Sequence, residues 1–187
     1  MKLHPVALPL LVSLLGLGCA TSPPPPSYVA TTLQPTTGNT ATGAVWFIAD
    51  GGDVRIRGRV TGLKANQEHG FHVHEKGDCS SGDAMSAGGH FNPSGKPHGP
   101  PSGEHHAGDL PAIRADGAGI ATIDARVRGL AGGPTEFAGK ALVVHVSPDD
   151  YTTQPTGNSG ARIACGVIAA TPPRDASGQP LPLPQGM

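Results

Sequence analysis

Two stretches of this chain alternate between apolar and charged positions. Val54, Ile56 and Val60 alternate with Arg55, Arg57 and Arg59, and Ile123, Ala125 and Val127 alternate with Thr122, Asp124, Arg126 and Arg128. A period of two places the two sets on opposite faces of an extended strand, so each stretch predicts a strand with one apolar and one charged face. Asp50-Gly51-Gly52 and Asp116-Gly117 stand beside these runs and supply hairpin turns. Further strands are expected over 43–49, 69–74, 110–115, 141–146 and 162–169, with Trp46 in the core. No segment carries an apolar stripe of helical period. An all-β protein follows, an antiparallel β-sandwich or barrel.

Composition agrees. Charged residues make up 14% and aromatics 4%, while there are 28 Gly and 20 Pro, which interrupt helices and favour turns. The net charge of −1 offers no basic patch for nucleic acid. Two long stretches, 75–109 and 147–160, are too Gly- and Pro-rich to be strands and too long for plain turns, so they are expected to be functional loops.

The first residues read differently. Lys2 and His4 precede an apolar run from Val6 to Leu17 that ends at Gly18-Cys19-Ala20. That run is too short for a stable membrane span and reads as an export signal over 1–19. Cys19 sits where lipoproteins carry their acylated cysteine, which predicts lipidation and membrane attachment, with the protein periplasmic or anchored facing the periplasm or the cell exterior. Residues 20–37, with Pro23 to Pro26 and many Thr, are expected to be an extended tether. Residues 38–170 form the domain, and 171–187 are expected to be a disordered Pro-rich tail. With Cys19 assigned to the signal, Cys79 and Cys165 are left as a candidate disulfide, which an oxidising compartment would preserve.

Nine histidines are the one compositional oddity. On a strand, His72 and His74 share a face while Phe71 and Val73 point into the core, and His145 likewise faces outward. The loop adds His90, His98, His105, His106 and Asp109. Imidazole suits copper and zinc, and a carboxylate among imidazoles suits zinc. These residues predict one or two nitrogen-rich metal sites, without deciding between catalysis and storage.

Five segments carry a specific resemblance. Gly70-Phe71-His72-Val73-His74-Glu75, Gly89-His90-Phe91-Asn92-Pro93, His106-Ala107-Gly108-Asp109-Leu110, Val144-His145 and 157–166 resemble, in order, motifs of the copper–zinc superoxide dismutases, most closely the bacterial exported branch. The resemblance implies a Greek-key barrel of about eight strands with two long functional loops. It implies copper on His72, His74, His90 and His145, and zinc on His90, His98, His106 and Asp109, with His90 shared and also catalytic. Asp149 would connect ligands of the two sites, and Arg162 would attract the superoxide anion. His69 would be structural. Family members occur as monomers and dimers, so a homodimer is among the expected partners. A copper-delivery protein on the same fold is the alternative.

Overall fold

The computed structural model describes Met1 and residues 28–184. The expected export signal, Cys19 and the start of the tether lie outside the described residues. Among the described residues no helix is long and apolar enough to cross a membrane.

Strands β1 (Tyr28–Pro35), β2 (Thr42–Asp50), β3 (Asp53–Thr61), β4 (Glu68–His69), β5 (Phe71–His74), β6 (Ile113–Arg114), β7 (Ala121–Val127), β8 (Ala141–His145) and β9 (Arg162–Val167) follow in order. Two short 3₁₀ turns, Met85–Ala87 and Gly133–Phe137, are the helical pieces. Seven strands form one curled antiparallel sheet in the order β5-β8-β9-β1-β2-β3-β7, and β4 pairs with β6. Because β4 runs on into β5 through Gly70, and β6 packs against β7, the small pair lies between the ends of the large sheet. The alternation seen in the sequence is the pairing seen here: Ile56 faces Ala125 and Arg57 faces Asp124 across β3 and β7. The inward set, including Val45, Phe47, Val54, Ile56, Phe71, Val73, Ile123, Leu142 and Val144, makes one core.

Two expectations about the ends are corrected. Residues 28–35, assigned to a tether, form β1 in the middle of the sheet. Tyr28 to Leu33 pair with β2, while Gln34 and Pro35 pair with β9. Val29 and Leu33 are fully buried, and each contributes roughly 1.5–3 kcal/mol by leaving water. The prolines before this segment hid an apolar alternation that the sheet uses. Of the tail, expected to be disordered, the described residues 171–184 fold back on the domain. Asp175 Oδ1 accepts hydrogen bonds from the backbone of Ser177 and Gln179, and Arg174 bridges Pro180. A side chain that closes its own turn in this way orders a short segment without a large core.

Candidate metal centre

β5 is an edge strand of the large sheet, so its free backbone groups can take up another segment. The long loop 75–109 supplies that segment twice. Phe91 N donates to Val73 O, and Val73 N donates to Gly108 O, at 2.8 and 2.9 Å. These bonds set His90 beside His74 and Asp109 beside His72. Gly108 is required for the approach, since a β-carbon there would strike the carbonyl of Val73. The Cys79–Cys165 disulfide ties the same loop to β9, closing a separation of 86 residues. The expectation that His72, His74 and His145 face outward is right for the sheet, yet the loops cover that face and all three are buried.

The result is two clusters with one member in common. Ligand atoms of His72, His74, His90 and His145 lie within 4.8 Å of one another, and so do those of His90, His98, His106 and Asp109.

Hydrogen bonding fixes which nitrogen of each ring carries a lone pair. A carboxylate only accepts, so the bonds at Asp149 place a proton on His72 Nε2 (2.6 Å) and on His98 Nε2 (2.9 Å). The Nδ1 atoms of both rings are therefore free to bind a cation. His74 Nδ1 donates to Gly88 O and His145 Nδ1 to Gly160 O, which leaves their Nε2 atoms facing each other at 3.4 Å. His72 Nδ1, His90 Nε2 and His98 Nδ1 are buried without a hydrogen-bond partner among the described residues, a costly state for polar atoms unless a cation satisfies them. On the other side, His90 Nδ1 (2.7 Å), His106 Nδ1 (3.2 Å) and His98 Nδ1 (3.0 Å) converge on the Asp109 carboxylate. The donor sets fit copper in the all-imidazole cluster and zinc in the cluster with the carboxylate.

Burial keeps four of the rings neutral, as suits metal ligands. It lowers the pKa of His72 to about 4, against an opposing bond from Asp149, and that of His145 to about 3. His74 and His106 are lowered for the same reason. For Asp109, burial would raise the pKa, but the His90 bond, nearby imidazoles and the His106 backbone N–H prevail and hold the carboxyl well below its usual range. Asp149 follows the same balance through His72, the Tyr151 N–H and His98.

A family model for copper/zinc superoxide dismutase (SODC) matches residues 41–168. The chain belongs to the copper/zinc superoxide dismutase family. It is also similar to a solved structure, the clock protein EA4, at 40% identity over 78% of this chain and 95% of that one, with a TM-score of 0.69. With both clusters complete, the activity is dismutation of superoxide to O₂ and H₂O₂.

The remaining expected residues fall around this dismutase centre. Asp149 accepts from one ring of each cluster, His72 and His98. Arg162 opens β9 opposite His145, and its two terminal nitrogens donate to the carbonyls of Ala84 and Gly88. The same Gly88 carbonyl accepts from His74. His69 is outside both clusters and hydrogen-bonds the His145 carbonyl through Nδ1. His105 belongs to neither cluster, and its Nδ1 bonds Gly103 O. Two contributors escaped the sequence. Gln154 clamps the backbone of His98, accepting from its N–H and donating to its carbonyl. Gly157 lies where any β-carbon would collide with Asp149. Neither residue belongs to a ligand type, so only the tertiary contact reveals it.

Proposed function

We propose that Arg162 and His90 make the copper cluster a turnover site for superoxide, and that the enzyme works outside the cytoplasm. The balanced reaction takes two superoxide anions and two protons to one O₂ and one H₂O₂. When bound, copper supplies the one-electron Cu(II)/Cu(I) couple, and zinc supplies fixed charge without redox chemistry of its own.

The protein's residues do the rest. Arg162 is half-buried near the copper cluster, and its charge helps to hold down the pKa of His74 and His145. Two of its five N–H groups are engaged with carbonyls, leaving others to receive an anion. A guanidinium stays charged at any working pH, so the attraction persists. His90 Nε2 has no protein partner while Nδ1 is held at Asp109, so Nε2 is the atom free to take up a proton and pass it on. The observation that carries the reading is this one ring shared by both clusters.

Superoxide decay, followed with the copper- and zinc-loaded protein and with His145→Ala, tests the proposal. Fast decay that collapses in the variant is expected. Tight metal binding without decay in either protein would favour copper delivery.

The location rests on the apolar run before Cys19 and on a disulfide suited to an oxidising compartment. We place the protein in the bacterial exported branch, with acylation at Cys19. More than one lipid chain is needed for stable attachment. Intact mass of the membrane fraction should show the chain beginning at Cys19 with added acyl mass; an unmodified Cys19 would remove the anchor.

A further inference from the structure

The outer face of β1–β3, on the side of the sheet away from the core, is covered by an unusual segment. Trp46 is buried as expected, only 6% exposed, but it lies outside the inward cluster, because Val45 and Phe47 take the inward positions of β2. Its neighbour across the strands is Arg57, which is 9% exposed. What lies against this face is the described stretch 171–184, beyond the last residue matched by the family model. Residues 171–174 line a groove with Ala30, Thr31 and Thr32 of β1. Leu181 lines the next groove with Thr42, Gly43 and Ala44 of β2. Three residues later the carbonyl of Pro184 accepts from Arg57 Nη1 at 3.2 Å.

The span between those two points suits an extended chain. Three residues of Pro-Leu-Pro-Leu-Pro in a polyproline conformation span about 9 Å. Two residues along β2 and one strand across, the step from Ala44 to Arg57, is about 8 Å. Trp46, two residues along β2 from Ala44 and directly opposite Arg57, stands beside that diagonal.

The chemistry of the two surfaces is complementary. Trp46 Nε1 and Arg57 Nε are buried donors without a hydrogen-bond partner among the described residues. A buried indole N–H ordinarily finds an acceptor. Proline-rich strands offer carbonyls that are unpaired within their own helix and have few N–H groups to compete, so they are acceptor-rich ligands for a donor-rich surface.

We propose that the Trp46–Arg57 face is a binding surface for proline-rich extended segments, filled here in cis by residues 180–184. The two unpaired donors are the groups that further carbonyls of such a segment would satisfy. Nothing on this face touches either metal cluster, so occupancy and dismutation are separable.

Trp46 is the single tryptophan of the chain, which makes its fluorescence a specific reporter. In the full-length, metal-loaded protein, Leu181→Gly with Leu183→Gly should shift emission to the red and raise acrylamide quenching severalfold, with dismutase activity retained as evidence of folding. A synthetic peptide of residues 177–187 should reverse both changes, and a peptide with its prolines replaced by alanine should not. Adding Arg57→Gln should weaken the peptide at least tenfold; Arg57→Lys serves the same test if the glutamine variant loses activity. Unchanged quenching in the double-glycine variant, or failure of the peptide to reverse it, would overturn the proposal. Wild-type emission that varies with protein concentration, alongside a dimer in sedimentation, would place a second copy's tail on the surface and overturn occupancy in cis.

Discussion

At Gly157 the absence of one carbon atom lets Asp149 stand between His72 and His98. Its φ of +65° is also one that side chains disfavour. Gly157→Ala should therefore push Asp149 aside and free both rings to turn. Carboxylates behind metal-bound histidines are worth roughly 10–100-fold in affinity, and a loss of that size is expected for zinc and copper in competition with a chelator. Arg162→Ala separates binding from turnover: metal content should stay as in wild type while superoxide decay slows by about tenfold and loses much of its salt dependence. A loaded variant as fast as wild type would remove Arg162 from the reaction. The ligands themselves were legible in the sequence. His72 and His74 follow the strand period, His145 stands on another apolar strand, and His90, His106 and Asp109 lie in recognisable loop motifs with His98 in the same loop. Gln154 and Gly157 were not legible, because an amide and a glycine in a loop acquire meaning only from what the folded chain brings against them.

Among elements, legibility followed local pattern. β3 and β7 announced themselves through alternation with charge, whereas β1 combines Thr31 and Thr32 with an adjoining proline run and resembles a linker until β2 and β9 flank it. The expected strand over 69–74 is two, broken at Gly70, where a β-carbon would crowd Ser159 and His72. The loop 75–109 is ordered by hydrogen bonds to the β5 edge and by the disulfide, neither of which has a periodic signature. Replacing Cys79 and Cys165 by serine should lower stability by about 4–5 kcal/mol in the chain-entropy model. Thermal unfolding should show a fall of about 10 °C or more. Activity should fall as well, because Ala84 and Gly88, the carbonyl anchors of Arg162, lie on the released loop.

For the whole molecule, burying these imidazoles has a cost that metal offsets. In the unfolded chain they ionise near pH 6.5, while in the fold His72 resists protonation until about pH 4 and His145 until about pH 3. Between those values the unfolded state binds the extra protons, so stability of the metal-free protein falls as pH drops from about 6.5 towards 4. Each such ring removes up to about 1.4 kcal/mol per pH unit over its window. Denaturant unfolding of the metal-free protein at pH 7 and pH 4.5 should show this fall; a flat profile would contradict neutral burial. The shared ring has a different consequence. Since His90 serves both clusters, filling either one is a thermodynamic event for the other. Whatever factor bound zinc adds to the affinity for copper, bound copper must add to the affinity for zinc. The order of supply can change the route of assembly, but titrations run in either order must close the same cycle.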